Sequence, residues 1–229
     1  MEEFIGISSR GDIDEALRGL GDPKLIIMTV GDEKLFREAA VKLNDRFPDV
    51  PSIGCVGQAY GNNSVVENGI IITAFSGNIT VDTGVINYVS KAPEAAVKNI
   101  QDSIAKVGPG KGNTVIIDFC TGNDECVLTT IQSAIAGRDV QLTGGTTWTK
   151  EVCVNGLIYS DACAYAVIKN NTGKVKVYKE NIYTPTDKTY ICTKAVPQEY
   201  KICSLDGRSA ADTYVNELGI KDDNVLEQT

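Results

Sequence analysis

The sequence contains no histidine. That absence removes the Ser-His-Asp and Cys-His nucleophile systems, histidine-ligated zinc and the imidazole proton shuttle, and most hydrolase chemistry with them. Positive charge is short as well. Lys and Arg number 22 against 30 Asp and Glu, a formal net charge of −8, and no basic run offsets it. Nucleic-acid affinity rests on cations that neutralise phosphates, so the composition argues against a nucleic-acid partner and, for the same reason, against an anionic membrane surface. No apolar run approaches the roughly 20 residues that cross a bilayer, and the N-terminal MEEFIGISSRGD is acidic where an export signal is basic and then apolar. These absences predict a water-soluble, cytoplasmic chain. Its 7 cysteines, an odd number without a CxxC pair, then read as reduced core residues. No pattern calls for a metal or a cofactor.

What the chain has instead is self-similarity. Residues 24–88 contain LIIMTVGDEKLF, VPSIGCVGQAYG and VVENGIIITAFSGNITVDTGVI, and residues 114–178 answer with TVIIDFCTGNDECV, VQLTGGTTWTKE and VCVNGLIYSDACAYAVIKNNTGKVKVY. Leu25 lines up with Val115 and Gly54 with Gly144 at one common offset, and Asn68-Gly69 with Asn155-Gly156. A unit repeated at this length has apolar faces that need the other copy for burial, and clefts between copies are where small ligands sit. The expected fold class is α/β with mixed sheets: two repeated βαβ-plus-hairpin halves in a pseudo-twofold layered sandwich, with a C-terminal strand and helix attached.

The local signals agree with that outline. Residues 12–20 form a short amphipathic helix behind Ser9 or Asp12 as its cap. Residues 24–30 are an unbroken apolar run, a strand covered on both faces, and Asp32 opens a helix that carries Leu35, Phe36, Ala39, Ala40, Leu43 and Phe47 to Pro48. Residues 51–55 return as a parallel strand. After a polar loop with Gly57, Gly61, Asn62 and Asn63, residues 69–75 and 79–89 flank Ser76-Gly77-Asn78 as a hairpin signal. Pro93 opens a second helix that ends at Gly108. The unit then restarts: strand 115–119, a helix capped by Asn123 or Asp124, strand 140–143, and antiparallel runs at 152–154, 157–159, 163–168 and 175–178. The domain reading is 1–180 for the duplicated part, 181–199 for a linker or crossing strand, and 200–229 for a further strand (200–204) and helix (210–218).

Ligands in open α/β sheets collect at the carboxyl ends of strands. The loops there hold the candidate binding residues. Thr121, Asn123 and Asp124 form a polar cradle or, alternatively, an ordinary capped helix start. Gly144, Gly145, Thr146, Thr147 and Trp148 combine a glycine pair, two hydroxyls and the sole tryptophan, which reads either as close approach and stacking on a ligand or as a turn with Trp148 in the core. Gln58 and Tyr60 occupy the equivalent loop of the first half and carry the same two readings. Gly108-Pro109-Gly110-Lys111-Gly112 follows a helix and opens a strand, the reverse of a phosphate loop, and reads as a connector. Cys120 and Cys126 flank a helix start, yet no neighbouring cation in sequence activates them.

With those landmarks in place the pattern resembles a known family. PSIGCVGQAYG is similar to "fP.a.iiGcStaGe", QLTGGTTWTKE to "piiGG.a.d", VNGLIYSDACAYAVIK to "ng.v..dgavvval", and YKICSLDGRSAADTYVNELG to "v.eldg.pA.d.Y.e.lG". Together they resemble the FIST sensory domain, with residues 1–180 as its N-terminal part and residues 200–229 as the opening of its C-terminal part, a sensor cut short. Val56 stands where the family has a small hydroxyl residue. The resemblance implies a non-catalytic cytoplasmic module that binds a small molecule, an amino acid or small carboxylate, and signals to a C-terminal or separate output domain. Two other functions fit the residues: a protein-interaction scaffold without a small ligand, and a cysteine-dependent enzyme using Cys55 or Cys120.

Overall fold

The computed structural model describes residues 1–61, 64–66, 68–179, 184–197 and 201–219. Asn62 and Asn63 of the first polar loop, Tyr200 at the start of the expected last strand, and residues 220–229 lie outside them. The chain divides into two units, Met1–Tyr178 and Lys179–Thr229.

The first unit opens with β1 (Glu2–Ser8) and a short helix, α1 (Ile13–Ala16). Asp12 rather than Ser9 caps α1, its carboxylate accepting from the Asp14 and Glu15 amides. β2 (Leu25–Val30) is almost wholly buried, as its apolar run requires, and Asp32 caps α2 (Glu33–Arg46) by accepting from the Leu35 amide at 2.8 Å. β3 (Ser52–Val56) follows, then β4 (Ala59–Gly61) and β5 (Ser64–Val66), which pair with each other. Next come β6 (Ile70–Ser76), β7 (Ile79–Asn87), a 3-10 turn at Pro93–Ala96 and α3 (Val97–Val107). The second series is β8 (Thr114–Cys120), α4 (Asp124–Ile135), β9 (Val140–Thr146), β10 (Glu151–Val154), β11 (Leu157–Ser160) and β12 (Ala162–Asn170).

Both helix-linked strand pairs are parallel, β2 with β3 and β8 with β9. They lie in different sheets, ordered β1-β6-β2-β3-β10-β11 and β7-β12-β8-β9. Three buried clusters define the layers. One packs α1 and α2 on the first sheet, one packs α3 and α4 on the second, and the third joins the sheets through Leu25, Ile27 and Ile53 on one side and Val115, Ala164 and Ile168 on the other. The unit is an αββα sandwich of mixed sheets. β12 shows how sequence encodes this: Cys163, Tyr165 and Val167 face the helices, while Ala162, Ala164 and Ala166 face the other sheet. A strand covered on both faces reads as one apolar run, and its small inward residues let the sheets approach.

The hairpin expected from residues 69–75 and 79–89 does not form. β6 pairs with β1 and β2, whereas β7 pairs with β12 in the other sheet. The turn at 76–78, with Gly77 at φ 81, therefore carries the chain from one sheet to the other. A short glycine turn between two apolar runs serves a sheet-to-sheet corner as well as a hairpin. The exchange is reciprocal, because β10 and β11 leave the second series and extend the first sheet beside β3. Asn155-Gly156, at φ 49 and 78, makes the two-residue turn of that β10–β11 hairpin. Residues 175–178 are not a strand either. Val175 and Val177 pack on the inter-sheet core, and the Gln141 side chain stands in for a neighbouring strand, donating to the Val175 carbonyl at 2.7 Å and accepting from the Val177 amide.

The cysteines are all free. Cys55, Cys120, Cys153 and Cys163 are buried, but Cys126 and Cys203 are half-buried and Cys192 is exposed, which corrects the expectation that all are core residues. Among the described residues no helix is long and apolar enough to cross a membrane.

The second unit consists of β13 (Cys192–Val196), β14 (Lys201–Leu205), β15 (Arg208–Ser209) and α5 (Ala210–Leu218). β13 pairs antiparallel with β14, and Asp206-Gly207, at φ 48 and 78, turns β14 into β15. Ser209 caps α5, which has no buried residue.

Gly144 of β9 faces Asp118 across the parallel ladder, and a β-carbon there would lie 2.1 Å from the Asp118 carbonyl oxygen and 2.3 Å from its Oδ1. The glycine that sequence alone could assign to close ligand approach instead admits a carboxylate of its own sheet. Gly144→Ala is expected to destabilise the chain by about 1–3 kcal/mol, the usual cost of overpacking, read as a lower urea midpoint. An unchanged midpoint would refute the contact.

Candidate functional site

At the carboxyl ends of the parallel strands the structure places two clefts. The first, about 520 Å³, is lined by Val89, Ser90, Thr121, Gly122, Asn123, Lys150, Ser160 and Asp161. Three residues around it adopt left-handed backbone: Tyr88 at φ 59, Asn123 at φ 55 and Asp161 at φ 49. Asn and Asp tolerate this region, but a bulky residue such as Tyr88 is strained there, at a cost of about 1–3 kcal/mol. Hydrogen bonds hold the corner in place. The Ser90 amide donates to Asp161 Oδ1 at 2.9 Å, the Ser90 hydroxyl donates to Oδ2 at 2.8 Å, and the Val89 amide donates to the Asp161 carbonyl at 3.1 Å.

Thr121 and Asn123 complete the opposite wall. Thr121 Oγ1 accepts from the Ala162 amide at 3.0 Å, which leaves its hydrogen available to a ligand. Asn123 Nδ2 donates to the Val89 carbonyl, leaving its carboxamide oxygen as an acceptor. Neither Asn123 nor Asp124 caps α4 through its side chain, which corrects the capped-start alternative. Lys150 supplies the cleft's one lysine or arginine and enters no ion pair among the described residues.

The second cleft, about 240 Å³, is lined by Gly31, Gly57, Gln58, Val65, Val66, Asn68 and Trp148. Trp148 is 64% exposed, so the core alternative for it does not hold. One loop joins the two clefts, with Trp148 in one and Lys150 in the other. Thr147 anchors it: its hydroxyl donates to the Val56 carbonyl at 2.7 Å, its amide to the Cys120 carbonyl at 2.9 Å, and the Trp148 amide also reaches Val56 at 2.8 Å.

The nominated residues therefore separate. Thr121 and Asn123 line the first cleft, and Gln58 and Trp148 the second. Thr147 is buried and occupied with backbone. Thr146 donates to the Asp124 carboxylate at 2.6 Å outside both linings. Gly145 is exposed on β9, with open space where a β-carbon would stand. Tyr60 belongs to β4, and its side chain lies outside the described part of the structure. Sequence reasoning missed Ser90, Lys150, Ser160 and Asp161. Asp161 alone had a signal, as the acidic residue of the VNGLIYSDACAYAVIK stretch between two strand runs. Nothing in the sequence distinguishes Lys150 from any other loop lysine.

Beneath these loops lies a buried carboxylate. Asp118 is 4% exposed, and burial pushes it up to about 6; the nearby Asp124 charge adds to the rise, while the Cys163 thiol, donating to Oδ2 at 3.7 Å, opposes it. Burial also pushes the Cys55 thiol up to about 12.

Comparison with protein families gives one finding: the FIST N domain matches residues 24–208. No curated protein matches the chain.

Two expectations follow from this geometry. Thr147→Val keeps the volume but removes a buried hydrogen bond, and should cost about 1 kcal/mol in denaturant unfolding; no loss would mean that the hydroxyl does not tie the sheets. Asp118 binds its proton more tightly folded than unfolded, so stability falls as pH rises from about 3.8 to about 6 and the penalty, of the order of 3 kcal/mol, persists above. Asp118→Asn should flatten that slope and gain on the wild type as pH rises; parallel stability curves would contradict it.

Proposed function

The chain belongs to the FIST family of sensory signal-transduction domains, and we propose that it works by binding a small polar molecule, of the amino-acid or small-carboxylate class, in the cleft between Thr121 and Asp161. The observation that carries this reading is the cleft itself: a concave surface with donors, acceptors and a lysine that enters no ion pair among the described residues, built at strained backbone positions at the strand ends. Occupancy there would be relayed to an output domain or partner, which requires different ligand affinity in two states of the chain.

A protein-interaction scaffold calls for a large exposed apolar patch, whereas this surface is concave and six of its eight lining residues carry polar side chains. A cysteine-dependent enzyme calls for a thiolate. Cys55, at about 12, is a neutral thiol at physiological pH, and the absence of histidine leaves no imidazole base to activate another. Binding without catalysis is the reading that these groups support.

A thermal-unfolding screen against amino acids and small carboxylates at millimolar concentration tests it. A ligand at about 100 times its Kd adds close to 2.7 kcal/mol and raises the midpoint. Ser160→Phe, which fills the cleft from its exposed rim, should abolish that rise while leaving the unliganded midpoint unchanged. A flat screen, or a rise that survives Ser160→Phe, would sink the proposal.

A further inference from the structure

We propose that the first cleft takes its ligand as a zwitterion, with Lys150 holding the anionic group and Asp161 the cationic one; this rests on the reading of that cleft as the ligand site. Lys150 and Asp161 both line the cleft, yet neither enters an ion pair among the described residues. The two poles stand open with a space of about 520 Å³ before them.

Asp161 is held in place. Its backbone is left-handed at φ 49, and its carboxylate oxygens accept from the amide and hydroxyl of Ser90 at 2.9 and 2.8 Å. Each oxygen keeps a further lone pair that an ammonium can use. Lys150 extends from the loop that Thr147 anchors to Val56 and Cys120. The remaining polar groups of the cleft, on Ser90, Thr121, Asn123 and Ser160, are neutral, so they orient a ligand without altering the charge balance.

That balance selects among ligands. A pure anion gains Lys150 and is repelled by Asp161. A pure cation gains Asp161 and is repelled by Lys150. Only a molecule carrying both charges a few ångströms apart meets both poles favourably, and this is the chemistry of an α-amino acid rather than of a simple carboxylate.

Isothermal titration of the full chain with three matched sets of probes tests the assignment: L-alanine, propionate and ethylamine; L-leucine, 4-methylpentanoate and 3-methylbutylamine; L-phenylalanine, 3-phenylpropanoate and 2-phenylethylamine. The wild type is expected to bind the amino acid of at least one set about tenfold or more tightly than either partner, the gain from one charge-assisted contact. Lys150→Met should lose the preference over the amine, and Lys150→Glu should reverse it. Asp161→Asn, which keeps an acceptor for Ser90 and tolerates left-handed backbone, should lose the preference over the carboxylate. Lys150 is exposed, so its two variants test half of the pairing even if Asp161→Asn fails to fold. Wild-type binding with preferences unchanged in the variants, or all three probes weakened equally, would overturn the zwitterion assignment alone. No wild-type binding to any of the three sets would overturn it together with the amino-acid reading of the cleft.

Discussion

The Val56 carbonyl accepts two hydrogen bonds, from the Thr147 hydroxyl at 2.7 Å and the Trp148 amide at 2.8 Å, and the arrangement of the first unit turns on them. Val56 ends β3 in one sheet. Thr147 follows β9 in the other and binds Cys120, the end of its neighbour β8, through its own amide. The carboxyl ends of both parallel pairs are thus held to one short loop. A second tie lies on the β10–β11 turn, where Asn155 Oδ1 accepts from the Ser52 amide at 2.8 Å and from the Thr83 hydroxyl, across the two sheets again. Apolar packing between sheets has no direction and tolerates sliding. These polar ties set the register in which the sheets face each other.

The exchange of strands explains why such ties are needed. β7 leaves the first series to pair with β12, and β10 leaves the second to pair with β3. Neither series can complete its sheet alone. The connections that cross between sheets meet where the parallel strands end, and the left-handed residues Tyr88, Asn123 and Asp161 gather around one of those crossings. The core itself is satisfied: among the described residues no buried side-chain nitrogen or oxygen lacks a hydrogen-bond partner. Asp118 is the costly exception in charge rather than in bonding, a carboxylate placed under the loops where Gly144 leaves room for it.

Much of the fold was legible because burial on both faces writes itself as an apolar run. β2, β8 and the α2 stripe stand out at once, and Asp32 and Gly108 punctuate the helices where local chemistry requires. The misreadings share a cause. The turn at 76–78 obeys the local rules of a hairpin, but strand partners are chosen by tertiary packing that no local rule contains. The run at 175–178 has the period of a strand and finds a Gln141 side chain where a strand neighbour was expected. The residues that line the first cleft follow the same logic. Thr121 and Asn123 were found because the end of a parallel strand marks a place, whereas Lys150 and Asp161 acquire meaning only when β10 and β11 bring a different part of the chain beside it.

The loop of residues 147–150 also limits how a bound molecule could be sensed. Its Thr147 end is fixed by two hydrogen bonds to different sheets, so a ligand drawing on Lys150 cannot shift the loop as a whole without breaking one of them. Displacement is left to the stretch beyond Thr147, or else passes into the sheets through Val56 and Cys120 together. In the first case Trp148, exposed in the neighbouring cleft, is the group best placed to change surroundings, because its side chain carries the largest area on the loop while its amide stays bound. In the second the two sheets must move as a pair. A mechanical link built this way favours two discrete arrangements over a continuous range, since each hydrogen bond is either kept or lost.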